Sequence, residues 1–112
     1  MEKPLFIPLK TKWFDAFVSG QKADELRAYG PRWNERTCRV GRAVTLSRGY
    51  GKQQRLGGHV ASFEKRHGSL FAGEYARAIE ETYGTLDLDI AVIGIGGLHR
   101  MLPHPTDTGK DE

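Results

Sequence analysis

The shortness of its apolar segments is the sequence feature that most constrains what this chain can fold into. The longest uncharged apolar stretch runs from Ile90 to Leu98 and holds nine residues, three of them glycine. A helix that spans a membrane needs about 20 apolar residues, so a membrane protein is not expected. The other apolar runs are about as long as β-strands, and this favours a small fold with a β-rich core.

Two segments have the periodicity of amphipathic helices. Apolar side chains recur at i, i+1, i+4 and i+5 over residues 12–19, and Thr11 is the predicted N-terminal cap. A second apolar series repeats at i+4 over residues 70–83, with Ser69 as its predicted cap. A glycine follows each segment and predicts its end: Gly20 and Gly84.

Five further segments have the apolar or alternating pattern of β-strands. They are residues 5–9, 23–29, 43–48, 59–64 and 91–95. Short strands at close spacing with two helices predict an α+β fold, namely a small β-barrel or strongly curved sheet with two packed helices. At this length we expect a single domain over residues 1–102. Residues 103–112 are charged and contain proline, which predicts a disordered tail.

Charge is distributed unevenly along the chain. Residues 32–66 carry nine basic side chains against two acidic ones, a net of +7, whereas residues 67–112 carry a net of −5. We call residues 32–66 the basic block. A block of this density, mostly arginine, is typical of proteins that bind polyanions such as nucleic acids. The alternative is a solvated surface whose acidic partners lie elsewhere in the sequence.

The cysteine and histidine content limits metal and redox chemistry. Cys38 is the one cysteine, so an internal disulfide is excluded. The four histidines lack metal-binding spacing, and structural zinc is not expected. The sequence requires no cofactor, and a divalent metal ion stays an open alternative. Because residues 1–4 do not resemble the start of a signal peptide, we expect a cytoplasmic protein.

A lysine, a glutamate and an arginine fall within six residues at the end of the first predicted helix: Lys22, Glu25 and Arg27. Side chains alternate along a strand, so Glu25 and Arg27 are expected on one face. In a functional site Lys22 and Arg27 bind an anion or donate protons, and Glu25 acts as a base or orients them. The alternative is a surface ion-pair ladder, which contributes little to stability.

The loop that follows the third predicted strand is a second candidate site. Gly49 and Gly51 allow backbone amides to approach a phosphate. Arg48 and Lys52 supply positive charge, and Tyr50 offers a ring on which a base can stack. The alternative is an ordinary flexible hairpin.

Three segments of the chain resemble the ASCH domain family. Residues 13–27 resemble its signature, a helix that ends in a Gly-x-Lys-x-x-Glu-x-Arg run. Residues 40–44 resemble its Val-Gly-Asp-x-Val segment, with Arg42 in place of the aspartate, and residues 58–63 resemble a later strand that begins with glycine. The resemblance covers about residues 5–98. It implies a PUA-like fold, a β-barrel with helices packed around a cleft.

The same resemblance implies a function. ASCH-like domains bind RNA or modified nucleotides, and some members are hydrolases. We therefore expect binding of RNA or a nucleotide-derived ligand in a basic cleft, and ribonuclease-like hydrolysis is a secondary hypothesis. The residues expected to line the cleft floor are Lys22, Glu25 and Arg27, and those expected on a loop above it are Arg48, Tyr50 and Lys52.

One ASCH subgroup hydrolyses N4-acylated cytidines, so the alternative function is a small amidohydrolase acting on such a nucleoside. The resemblance implies a lysine, a threonine and a glutamate as its catalytic groups. Lys22 matches the lysine, but Glu25 stands at the threonine position, and the hydroxyl is missing. Glu64 and Glu74 are candidates for the glutamate. Glu25 beside Lys22 offers general base catalysis on water instead.

Overall fold

The computed structural model describes residues 2–101 and shows an α+β fold, a curled half-barrel of five strands with two packed helices. The strands are β1 (Leu5–Leu9), β2 (Asp24–Ala28), β3 (Ala43–Arg48), β4 (Arg55–His67) and β5 (Asp89–Met101), and the helices are α1 (Thr11–Val18) and α2 (Gly73–Tyr83). The predicted fold class is confirmed.

The sheet has the order β1-β3-β4-β5-β2. Strand β1 runs parallel to β3, and the other neighbouring strands are antiparallel. Strands β1 and β2 are therefore the two edges of the half-barrel. Both edges matter for the site, because helix α1 follows β1 and leads directly into β2.

Strands β4 and β5 are much longer than their sequence patterns predict. The predicted segments were residues 59–64 and 91–95, whereas each strand has 13 residues in the structure. The two strands pair with each other from Arg55↔Met101 to His67↔Asp89. Backbone hydrogen bonds hold these outer parts together, so they need no alternating apolar side chains.

The helices end where predicted but begin elsewhere. Gly20 and Gly84 have φ angles of 82° and 77°, the left-handed conformation that glycine adopts readily past a helix end. Helix α1 already includes Thr11, and its N-cap is Lys10, which makes no side-chain capping bond. Helix α2 begins only at Gly73, after a short 3₁₀ turn at Gly68–Leu70. The predicted helix over residues 70–83 therefore included three residues, 70–72, that precede α2.

The core lies between α1 and the concave face of the sheet. Phe14 and Phe17 of α1 are buried against strand residues such as Ile7, Leu46 and Ile93. Helix α2 contributes much less, since Ile79 is its single buried residue. One wall of the molecule is thus a helix that is only lightly attached to the core.

Two expectations concern the chain ends and the membrane. The tail predicted for residues 103–112 lies outside the described residues 2–101. Helices α1 and α2 have eight and eleven residues. Within the described residues, no helix has the length and apolar character required to cross a membrane.

Candidate functional site

A cleft of about 1230 Å³ opens between the two helices. Helix α1 forms one wall, helix α2 forms the other, and the ends of β1 and β2 form the floor. Its polar and aromatic lining includes Lys10, Lys12, Trp13, Asp15, Lys22, Glu25, Arg27, Glu74, Tyr75, Arg77, Glu81 and Tyr83. The cleft exceeds the roughly 300–1,000 Å³ of typical small-molecule sites.

The predicted trio of Lys22, Glu25 and Arg27 comes together on the floor of this cleft. Lys22 Nζ lies 3.6 Å from Glu25 Oε1, and Arg27 Nε donates to Glu25 Oε2 over 2.7 Å. The side chains are 11%, 9% and 21% exposed, respectively. This burial is far deeper than that of a surface ion-pair ladder. We call the three residues the floor triad.

Local backbone structure explains how the triad assembles. The left-handed Gly20 ends α1, and the Lys22 amide then donates to the Ala16 carbonyl over 3.0 Å. The chain therefore turns back beside the helix before β2 begins. Glu25 and Arg27 are two residues apart on β2, so they share a face, as the sequence predicts.

Arg27 also connects the two edges of the half-barrel. Its Nη2 donates to the Pro8 carbonyl of β1 over 2.8 Å, while its Nε holds Glu25. The guanidinium carbon lies 5.0 Å from the centre of the Trp33 ring, a cation–π contact. These contacts hold the guanidinium in place beside Glu25. Ligand binding by Arg27 stays a prediction.

Aromatic rings surround the Lys22 ammonium group. Its Nζ lies 5.5 Å from the Trp13 ring, 5.3 Å from the Phe17 ring and 6.0 Å from the Tyr75 ring. The same group donates a hydrogen bond to the Asp24 carbonyl. Lys22 is thus held at a fixed place, with its ammonium group near Glu25 and among three aromatic rings.

The charge of the cleft is almost balanced. Among the described residues its lining has five cations (Lys10, Lys12, Lys22, Arg27 and Arg77) and four carboxylates (Asp15, Glu25, Glu74 and Glu81). None of the basic side chains in the basic block is among them. The cleft was expected to be basic, and the near balance of charge in its described lining corrects that expectation. Positive charge in the cleft comes instead from the start of α1, the turn that leads into β2, β2 itself and α2.

Several side chains of the basic block have acidic partners. Arg39 and Arg42 pair with Glu2, and Arg66 pairs with Glu64. The hydrogen bond from Arg39 lowers the pKa of Glu2, and the one from Arg66 lowers the pKa of Glu64. For these side chains the alternative of a neutralised, solvated surface describes the structure.

The predicted loop site lies outside the cleft. Arg48 pairs with Asp15 over 2.6 Å and donates to Gln54 over 2.7 Å. Tyr50 is 80% exposed, and Lys52 is also exposed. These three residues therefore do not lie above the floor triad, although Arg48 touches the helix that forms one wall.

Trp13, Tyr75 and Arg77 are among the cleft residues that were not anticipated as site residues. Trp13 is partly buried against the core and also lines the cleft. Tyr75 and Arg77 belong to α2, whose charged pattern is typical of a solvated helix face. The aromatic residues of α2 were the sequence feature that could have indicated that this helix face lines a cleft. Of the two candidate glutamates, Glu74 lines the cleft, and Glu64 does not.

The described residues also bear on a metal site. Residues 2–101 contain no group of three or more His, Cys, Asp or Glu side chains placed to hold a metal ion. The carboxylate at the cleft floor, Glu25, instead faces two cations.

The curled half-barrel with a cleft beside its two helices is an ASCH domain fold of the PUA-like type. Crystal structures of two variants of ZmASCH from Zymomonas mobilis share it. One superposes with a TM-score of 0.66 at 15% identity over 98% of this chain and 81% of that one. The other has a TM-score of 0.62 at 13% identity, over 95% and 76%. No family model and no curated protein matches the sequence. At these identities the likeness shows the fold.

Proposed function

We propose that this chain binds RNA or a nucleotide-derived ligand in the cleft between α1 and α2. The observation that carries the proposal is the floor triad, a buried carboxylate between two cations at the base of a cleft with aromatic walls. The ASCH domain fold supports the same class of ligand by resemblance.

The floor triad has the donors and acceptors that a nucleobase edge requires. Glu25 Oε2 is taken by Arg27, which leaves Oε1 to accept from a base N–H. Lys22 Nζ, 3.6 Å away, donates to the acceptor beside that N–H. Nucleobases carry such donors and acceptors side by side on their edges. The rings of Trp13 and Tyr75 supply stacking surfaces, and stacking contributes about 1–3 kcal/mol per base.

Cations at the rim of the cleft fit the phosphates of such a ligand. Lys10 and Lys12 lie at the start of α1, and Arg77 lies on the facing helix. Phosphate contacts of this kind give affinity without sequence preference, and salt weakens them. The ligand's base thus enters toward the triad while its backbone stays at the rim.

A second candidate function is hydrolysis of an N4-acylated cytidine or a related amide, and the short distance between Lys22 and Glu25 favours it. Glu25 takes a proton from water, the resulting hydroxide attacks the acyl carbon, and Lys22 stabilises the oxyanion. The C–N bond then breaks, and the proton passes to the departing nitrogen. Because Arg27 holds Oε2, the attacking water must approach Oε1, as the base N–H does in the binding proposal. Hydrolysis also needs a proton transfer to the departing nitrogen, which binding does not, so binding is better supported.

The test of this candidate is incubation with N4-acetylcytidine, with and without Mn²⁺. Release of cytidine by the wild type, lost in Glu25→Gln, supports hydrolysis. An intact substrate after long incubation eliminates it. Chromatography of the nucleosides provides the measurement.

Replacement of Lys22 tests the proposed binding function directly. Lys22→Ala removes the donor beside Glu25 and the cation among the aromatic rings, and a charge-assisted hydrogen bond contributes about 1.5–3 kcal/mol. We expect affinity for a labelled single-stranded RNA to fall about tenfold or more. Fluorescence anisotropy at 50 and 200 mM salt measures it, and the higher salt should weaken wild-type binding.

The matched control for this experiment is Lys65→Ala. Lys65 is exposed, pairs with Asp89 and lies outside the cleft. Its replacement therefore removes one positive charge from the protein without changing the cleft. We expect its affinity to stay within about twofold of the wild type, since a distant exposed charge is strongly screened. Equal affinities of Lys22→Ala and the wild type for the RNA would show that the floor triad is not part of the binding site.

A further inference from the structure

A second surface with aromatic and basic side chains lies on the convex face of the sheet. Cross-strand pairing places Phe6, Gly57 and His99 in one row, and the next row on the same face holds Arg55 and Met101. The β3–β4 loop folds over this face, because Ser47 donates to the Gly51 carbonyl over 3.1 Å. We call the group Phe6, Tyr50, Arg55, His99 and Met101 the outer patch.

Tyr50 is the most exposed part of the outer patch. It is 80% exposed and follows Gly49, whose φ is +66°. Its ring lies 6.2 Å from that of Phe6 at an interplanar angle of 38°. One face of the tyrosine is thus supported by a second ring, and the rest is open to a planar partner.

The charge of the outer patch is positive. Arg55 lies 5.3 Å from the Phe6 ring and donates to the Gly51 carbonyl, and among residues 2–101 it has no carboxylate partner. Residues 48–63 and 90–101, which contribute most of this surface, contain no aspartate or glutamate. A polyanion whose units carry flat rings matches both properties.

The outer patch is continuous with the cleft through β1. Phe6 and Pro8 are two residues apart, about 7 Å, on the same side of the strand. Pro8 lines the cleft and accepts the hydrogen bond from Arg27. The Gly49 amide donates to the Leu9 carbonyl over 2.8 Å, which holds the loop beside the start of α1.

We propose that the outer patch is a second contact surface for single-stranded RNA, with bases stacking on Tyr50 and a phosphate near Arg55. This inference rests on the proposed function and specifies its ligand. The ligand is then a polymer of several nucleotides that passes from the cleft along β1. A free nucleotide would fill only the cleft.

The test compares an RNA octamer of uridine with uridine monophosphate, using isothermal titration and anisotropy. We expect the octamer to bind at least tenfold more tightly than the monomer. Tyr50→Ala should weaken octamer binding about tenfold through loss of one stacked base. Tyr50→Phe keeps the ring and should bind like the wild type. Neither Tyr50 variant should change the affinity for uridine monophosphate.

Arg55→Gln and its control separate local contact from overall charge. Arg55→Gln should weaken octamer binding several-fold. Arg66→Gln removes one positive charge at the other end of the same strand, outside the outer patch, and should have no comparable effect.

Four results would overturn the inference, and they differ in what else they refute. Equal affinities for octamer and monomer, or no effect of Tyr50→Ala, would refute the outer patch and leave the cleft intact. Competition by polyglutamate as strong as by RNA would assign the patch to acidic protein partners. Absence of binding by both nucleotide ligands would refute the proposed function as well.

Discussion

Glu25→Ala is expected to destabilise the protein by about 3–5 kcal/mol, because it leaves two cations at the cleft floor without their shared counter-charge. The Glu25 side chain is 9% exposed, so water does not readily replace it. Stabilities of single domains are about 5–15 kcal/mol, and the loss is a large part of that range. Urea unfolding followed by circular dichroism measures the effect.

A double-mutant cycle separates charge from packing in this prediction. Glu25→Gln keeps the shape and one acceptor for Arg27 but removes the charge, so Lys22 and Arg27 then repel without compensation. Adding Lys22→Met should recover part of the lost stability, with a coupling of about 1 kcal/mol. A Glu25→Ala variant within 1 kcal/mol of the wild type would contradict the buried ion-pair interpretation.

Arg27→Ala is expected to cost about 2–4 kcal/mol, since it removes the bonds that join the two edges of the half-barrel. The guanidinium holds both Glu25 and the Pro8 carbonyl, and it lies against Trp33. Breaking a buried pair by removing one partner is strongly destabilising. Arg27→Lys keeps the positive charge but loses the planar guanidinium that donates to two acceptors at once, and it should destabilise the protein by roughly half as much. Urea unfolding gives the two values.

Hydrogen exchange shows where the effect of Arg27→Ala is located. We expect faster exchange in β1 and β2, whose edges the side chain connects, and little change in the β4–β5 pairing. The control is Arg66→Ala, which breaks an exposed pair with Glu64 and should cost less than about 1 kcal/mol. Uniformly faster exchange throughout the sheet would argue against an edge-joining role.

The parts of the fold that the sequence predicted are those set by local rules. Glycine at the helix ends and apolar alternation in β1 and β3 are read within a few residues, and both agree with the structure. The lengths of β4 and β5 and the start of α2 are set by pairing with distant segments. Residues 70–72 have the apolar side chains expected of a helix, but Leu70 ends the 3₁₀ turn Gly68–Leu70, and α2 begins only at Gly73.

For the site too, the sequence predicted the features that are set by neighbouring residues. Lys22, Glu25 and Arg27 are neighbours in sequence, and alternation alone places two of them on one face. The contribution of α2 was not predictable, because Tyr75 reaches the cleft only through the packing of that helix across the half-barrel. The charge of residues 32–66 did not show where the cleft lies, since the cleft is lined by other cations and Glu2 and Asp15 neutralise part of that charge from distant positions.

Ligand binding at the floor triad is tested most directly by an NMR titration of the labelled protein with a single-stranded RNA octamer. We expect shifts of the Trp13 indole N–H and of the Lys22 and Glu25 amides at the lowest RNA concentrations. These signals should saturate together, and in Lys22→Ala the same shifts should need much more RNA. Shifts confined to residues outside the cleft, or none at millimolar RNA, would contradict binding at the floor triad.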